Sequence, residues 1–380
     1  MSKADERGLS FNSKFYLMTN LKYSIGIDVA KSEFKACLSI IDQQQKVTIK
    51  STSCFKNSAK GFDDFYSWAI KRVREEIPFH FLMEATGIYY EQLAWYLYNK
   101  DCRVSVILPN KAKKYIQGLG LKSKNDKIDA RGLSRMCAEQ SLSLWKPLSK
   151  NIYQLRSLTR LHEDLTLQRG AISNRLEALN HSMYDLKDSK KSLKKLIHTL
   201  DLELSSLETK IKQAINTDAG LSSKFKKISR IKGIGMMSFA VVIAETNGFE
   251  LFTSRAQLTS YAGYDVTENQ SGNRNGKTRM SKKGNSHIRR VLHLPAFTAV
   301  KYETSFKTFY DRVYSNTHVK MKAYVAVQRK LLCLMYTLWK KDTEYNPTFS
   351  PNHSEGGIAD PLLGDSVGIK KSQHPKALAL

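Results

Sequence analysis

The 380-residue chain is poor in cysteine, poor in acids relative to bases, and has no long apolar run. Its five cysteines (Cys37, Cys54, Cys102, Cys137 and Cys333) are scattered and none forms a CxxC pair. That excludes a disulfide framework, argues against zinc, and predicts a reducing cytoplasm. No segment approaches the ~20 apolar residues of a membrane span, so no membrane partner is expected. The first twenty residues are polar and mixed, with only a short Phe15–Met18 patch, and do not read as a signal peptide. Acids number 35 against 61 Lys plus Arg, a net charge of +26. A globular protein so short of negative charge meets a polyanion, and nucleic acid is the default. Hydrophobic content of 41% is enough for substantial cores, and the length allows two or three domains.

What is present is organised around four acids in the first third. Asp28 ends the stretch Tyr23-Ser-Ile-Gly-Ile-Asp28, and Glu84 ends Phe81-Leu-Met-Glu84 before Ala-Thr-Gly87. Asp126 and Asp129 lie three apart in Asn125-Asp-Lys-Ile-Asp-Ala-Arg131, at the start of a predicted helix, so both face the same way. Singly, such acids are turn residues, helix caps or complements of a helix dipole. A carboxylate that ends an apolar strand needs its charge compensated. A hard cation such as Mg2+ or Mn2+ does so with oxygen ligands while keeping waters for a phosphate substrate. Four acids on three elements are therefore read as a two-metal phosphodiester site.

Around these acids the pattern predicts strands over 23–28, 34–41 and 46–52, a helix over 59–74, then strand 79–85, helix 89–99 and strand 104–108. Helices over 110–117 and 126–140 follow. Three strands and then alternating helix and strand describe a mixed α/β sheet covered by helices. Trp145-Lys-Pro147 marks a boundary. Beyond it Ile172, Leu176, Leu179, Met183, Leu186, Leu193, Ile197, Leu200, Leu204, Leu207 and Ile211 repeat at steps of four and three, with Lys190 at one seam position. The register runs unbroken through 187–192 and predicts a coiled coil that joins subunits, or a helical hairpin packed on its own domain.

A second compact region opens with Lys232-Gly-Ile-Gly235 and an apolar helix over 237–245. Glycines before a helix present free backbone N–H groups to a DNA phosphate, as in a helix-hairpin-helix element, or are simple turn residues. Then comes a loop expected to be irregular, Asn269-Gln-Ser-Gly-Asn-Arg-Asn-Gly-Lys-Thr-Arg-Met-Ser-Lys-Lys-Gly284. From Thr267 to Arg290 it and the following helix hold seven Lys/Arg and one acid. Arg274, Lys277, Arg279, Lys282, Lys283, Arg289 and Arg290 suit phosphate, as would any solvated basic loop. Spacing alone does not single out Ser271 in it.

Taken together, YSIGIDVAK, MEATG, NDKIDAR, KGIG, LTSYAGY and the SGNRNGKTRMSKKGN loop resemble the DEDD transposases of the IS110 insertion-sequence family, which also holds Piv-type DNA invertases. The resemblance runs from about Tyr23 to Leu338. It implies an N-terminal RuvC-like, RNase H-like catalytic domain (21–148), a coiled coil (149–218) and a mainly helical C-terminal transposase domain (224–342). Outside it, composition alone predicts a flexible lead-in (1–20) and a disordered tail (343–380) that holds four of the eight prolines. The resemblance implies that Asp28, Glu84, Asp126 and Asp129 are the metal-binding tetrad and Ser271 the nucleophile, with Ser281 second in line and Gln270 where the family often has glutamate. It also implies donor and target DNA, a structured non-coding guide RNA, a homo-oligomer, and a place at the bacterial nucleoid. With tetrad and serine in different domains, the catalytic site is expected to be composite.

Overall fold

The computed structural model describes residues 20–347, apart from 75–76, 86, 121–125, 268–269, 272–273 and 277–278; at Asp126, Lys127, Gln270, Ser271, Arg274 and Asn275 it describes backbone only. The expected lead-in (to residue 19) and most of the expected tail (from 348) lie outside the described residues. The chain divides into two compact units, Met1–Pro147 and Leu148–Leu380.

The first unit is built on β1 (Asn20–Val29), β2 (Glu33–Asp42) and β3 (Val47–Lys56), followed by α1 (Ala59–Ile70), β4 (Phe79–Glu84), α2 (Glu91–Tyr98), β5 (Arg103–Ile107), α3 (Pro109–Gly118) and α4 (Asp126–Glu139). The sheet order is β3-β2-β1-β4-β5. β1, β2 and β3 pair antiparallel, as their short connections require. β4 and β5 add in parallel, reached through helical crossovers. This is the mixed, helix-covered sheet expected from the sequence.

Alternation along the strands sorts the two faces. Ile25, Ile27, Phe81 and Met83 share a cluster with Phe62, Phe65 and Ala69 of α1 and Leu93, Ala94 and Leu97 of α2. Leu82, in between, packs instead with Leu133, Met136 and Cys137 of α4. One face therefore belongs to α1 and α2, the other to α4.

The second unit comprises α5 (Lys150–Asn180), α6 (Lys187–Thr217), α7 (Ala219–Ile228), α8 (Met236–Thr246) and α9 (Arg255–Ala262). Four two-residue strands follow: β6 (Val266–Thr267), β7 (Gln270–Ser271), β8 (Arg274–Asn275) and β9 (Arg279–Met280). The unit closes with α10 (Ser286–Val291), α11 (His293–Tyr302), α12 (Thr304–Thr317) and α13 (Lys320–Lys341). Its core gathers Phe239, Val242 and Ile243 of α8, Val327, Leu331 and Met335 of α13, and Ile152, Leu155, Ile211 and Ile215 of the two long helices.

The unbroken heptad register is corrected here. The chain stops at Asn180 and restarts at Lys187, so α5 and α6 fold back as an antiparallel hairpin. Arg169 reaches Asp201 at 2.6 Å and His162 reaches Glu208 at 3.3 Å, one arm to the other. At the turn the Ser182 hydroxyl stands 2.7 Å from the carbonyls of both Leu179 and Tyr184, a local alternative to helix that competes with the ladder. Met183 is consequently 91% exposed, outside any seam within this chain.

The start of the expected tail is also fixed. Glu344 pairs with Arg230 at 2.8 Å, and the Tyr345 hydroxyl donates to Glu303. The loop expected to be irregular carries two short ladders, β6 with β9 and β7 with β8.

Candidate active site

Asp28 and Glu84 end neighbouring parallel strands. The last paired residues are Ile27 and Met83, so the two acids stand one step further, side by side at one sheet edge. The Ala85 amide donates to Ile107 O at 2.9 Å and pins the end of β4. Gly26 and Leu82 lie on the α4 face, and Asp28 and Glu84 follow each by two, so both acids face the α4 side. Both are half-buried. Lys35 is the cross-strand partner of Asp28.

Helix α4 runs antiparallel to β1 in a close crossing. Lys22 Nζ donates to Cys137 O, the Ser134 hydroxyl donates to Ser24 O at 2.9 Å, and a Cβ on Gly26 would lie 2.4 Å from Ala130 O. Each two residues forward on β1 correspond to three or four backward on α4, about 6 Å along either element. Continuing that step brings the backbone of Asp129 and then Asp126 toward the level of Asp28. Gly26 is what permits the approach: an added Cβ would sit 2.0 Å from the Ser134 amide nitrogen.

An all-oxygen, all-carboxylate set fits a hard divalent cation. Among the described residues, however, no three Asp, Glu, His or Cys side chains are grouped closely enough to hold a metal. The sheet edge thus collects the elements that carry the acids.

In the second unit, Ser271 lies on β7, with Gln270 opposite Asn275 and Ser271 opposite Arg274. The second serine, Ser281, has a structural part: its amide donates to Asp265 O at 2.7 Å and its hydroxyl to Gly263 O at 3.3 Å, at the foot of the loop. Of the basic residues, Arg279, Lys282 and Lys283 are exposed. Lys277 lies outside the described residues and Arg274 is described by backbone alone. Arg289 and Arg290 are already engaged. Arg289 donates to Ala262 O at 2.7 Å and Asn285 O at 3.2 Å, and Arg290 pairs with Glu163.

The Lys232–Gly235 turn links α7 to α8, as a helix-hairpin-helix element would. Gly233 has φ +100°, and a Cβ there would lie 2.6 Å from Pro295 O, so the position demands glycine. Gly235 caps α8, whose opening amides lack partners within the helix. The Lys232 amide is already taken by buried Glu303, at 2.7 Å.

The sequence reading missed Glu245. It ends the apolar helix α8 yet is 1% exposed, and binds Arg160 through both carboxylate oxygens, at 2.8 and 3.0 Å. The signal available in the sequence was a single acid closing an otherwise apolar helix.

A family model for the DEDD transposase of IS110 elements matches residues 25–184, and one described as the transposase IS116/IS110/IS902 family matches residues 226–311. The pilin gene-inverting protein of Moraxella bovis is 28% identical over 327 residues, 86% of this chain and 98% of that one. The transposase for insertion sequence element IS1111A of Coxiella burnetii is 21% identical over 355 residues, covering 84% and 90%. Among solved structures, Thermus thermophilus RuvC aligns with 32% of this chain and 99% of its own, at 11% identity and a TM-score of 0.26.

Proposed function

We propose, for a chain that belongs to the IS110 family of transposases, that this DNA recombinase cuts and rejoins strands through a phosphoserine-DNA link. Asp28, Glu84, Asp126 and Asp129 would hold Mg2+ or Mn2+, and Ser271 would attack the scissile phosphate. The bound ion supplies charge neutralisation on the phosphate and helps lower the barrier to deprotonating the hydroxyl. Attack by Ser271 Oγ forms the P–O bond to serine as the bond to the departing DNA oxygen breaks. The linkage keeps the bond energy for rejoining. Arg279, Lys282 and Lys283, with Arg274 and Lys277, neutralise phosphate around that step. The Gly235 amide at the start of α8 holds a backbone phosphate of the same DNA.

The observation that carries this reading is that Asp28 and Glu84 directly follow the last paired residues, Ile27 and Met83, of adjacent parallel strands, with α4 crossing toward the same edge at Gly26. Carboxylates brought to one sheet edge on separate elements supply the oxygen ligands that a hard divalent cation takes.

The substrates are donor and target DNA, and a structured guide RNA selects them. The +26 charge is ample for DNA and RNA together. Sequencing RNA that co-purifies with the protein tests the guide; recovery of only random fragments would remove it. The working form is a homo-oligomer joined through the α5–α6 hairpin, whose surface exposes Leu161, Leu167, Leu196 and Leu202. Lysines at Leu196 and Leu202 should lower the mass measured by light scattering. A second reading, a site-specific DNA invertase, is favoured by the 28% identity to a pilin gene-inverting protein across 98% of its length. It uses the same chemistry on an invertible segment.

The deciding experiment compares wild type with Ser271→Ala on labelled DNA with Mg2+, followed by denaturing electrophoresis. Wild type should carry label through denaturation; the variant should bind DNA and carry none. A wild type that never carries label yet nicks with multiple turnover is a hydrolytic nuclease using water, and the serine reading fails.

A further inference from the structure

The loop that bears Ser271 leaves α9 at Gly263 and returns at Asn285. Its foot is closed by Lys282 N to Gly263 O at 3.2 Å and by Asn285 N to Tyr261 O at 2.7 Å. Gly284 lets the two strands of the foot touch, since a Cβ there would sit 2.4 Å from Tyr261 O. Both footings converge on one acid. Asn285 Nδ2 donates to Glu245 Oε2 at 2.7 Å, and the Tyr261 hydroxyl donates to the Glu245 carbonyl at 3.0 Å. From the other side come Arg160 of α5, bidentate on the carboxylate, and Arg156, whose Nε donates to Ala244 O at 3.1 Å. A second link joins α5 directly to α10, from Glu163 to His287 (2.5 Å) and Arg290.

A carboxylate at 1% exposure is an expensive way to fill a core, and an apolar side chain of similar volume would serve packing as well or better. What the acid adds is direction. Its two oxygens fix one guanidinium and one amide in a single geometry. Burial by itself would raise the Glu245 pKa, but the hydrogen bonds from Arg160 and Asn285 and the charge of Arg156 outweigh it and hold the group low, in its charged form.

We propose that Glu245 is a positioning residue: through Asn285 and Arg160 it locks the exit of the serine loop to the hairpin arm α5. The foot of the loop, Gly263 with Lys282 to Asn285, is thereby held in one pose for attack. This rests on the reading of Ser271 as nucleophile.

Two full-length variants test it. Glu245→Gln removes the charge at constant size, and Arg160, 46% exposed at its side chain, is left able to take water. Asn285→Ser keeps a cap for α10, where Asn285 Oδ1 now accepts from Ile288 N at 3.1 Å, but cannot reach Glu245. Three quantities are read: hydrogen exchange of the 263–285 amides, the rate of covalent DNA attachment at saturating DNA, and the DNA dissociation constant. Both variants should show about tenfold faster exchange in 263–285 and about tenfold slower attachment, with affinity within about twofold of wild type. A merely structural role would instead lower affinity and melting temperature together across the second unit. Unchanged loop exchange in Asn285→Ser, which needs no buried charge to be removed, overturns the lock. If wild type itself forms no covalent adduct, the serine reading has failed, and the exchange measurement alone then decides whether Glu245 holds the loop.

Discussion

His80 stands in the middle of a polar thread at the far end of the sheet from the acids. It is 4% exposed, and its Nε2 lies 2.9 Å from the Ser105 hydroxyl. Ser105 donates its proton to Ser143 O at 2.7 Å, so His80 Nε2 is the donor to Ser105 and Nδ1 is the site that would protonate. Burial, with Lys22 and Arg103 nearby, depresses its pKa from 6.5 to about 4. A depressed histidine means the unfolded chain takes up the proton first as pH falls. The contribution is therefore whole above pH 6.5 and is lost as pH drops toward 4. Its size is on the order of 3 kcal/mol. Urea unfolding of wild type and His80→Gln between these limits should show a weaker pH dependence in the variant, whose amide still bonds Ser105. Equal dependence in the two chains would mean that His80 titrates as in solvent.

Between elements, α4 crosses β1 in close backbone contact, and Gly26 is the point of approach. All three nearest atoms to an added Cβ are backbone: the Ser134 nitrogen at 2.0 Å, Ala130 O at 2.4 Å and Leu133 C at 2.6 Å. None can turn aside as a side chain tip would, so Gly26→Ala should cost at least 2–3 kcal/mol, roughly the overpacking range. It should also push the start of α4 away from Asp28 and Glu84. Cleavage should fall more than DNA binding does, and a variant with wild-type unfolding midpoint and wild-type cleavage would refute the close crossing. At this scale the sequence was largely legible. The five strands were readable because β1, β2 and β4 are apolar runs, and Asp28 and Glu84 stood out as charges ending them. The hairpin was only half legible. Seam spacing reports that a helix has a partner, and is silent on whether that partner is another chain or its own second half; the decision lay in 181–186, six residues with no proline or glycine. The strand pairs of the serine loop were illegible for the opposite reason. Two residues per strand carry no periodicity. Glu245 was hidden because its partners Arg160 and Asn285 are 85 and 40 residues away.

For the whole molecule, the excess charge sets how it meets nucleic acid, but only part of that charge is free to do so. Arg289 bonds Ala262 O, and Arg290 pairs with Glu163, Lys227 with Asp342 at 2.8 Å, and Arg230 with Glu344. Arg279, Lys282 and Lys283 are exposed at the foot of the serine loop, and Lys282 is held with φ +52° by the bond of its amide to Gly263 O. Binding that releases counterions weakens with salt by about 0.9 in log-log slope per neutralised phosphate. Replacing Arg279, Lys282 and Lys283 together by alanine should therefore flatten the slope by roughly 3, if each meets one phosphate, with little change in melting temperature. Arg289→Ala should do the reverse. Its guanidinium braces the end of α9 against α10, so the variant should melt earlier while its salt slope stays near that of wild type. Fluorescence anisotropy with one labelled duplex across a salt series reads both. A triple variant with an unchanged slope would place the phosphate contacts elsewhere on the basic surface, and a flattened slope in Arg289→Ala would mean that this arginine leaves Ala262 to meet DNA.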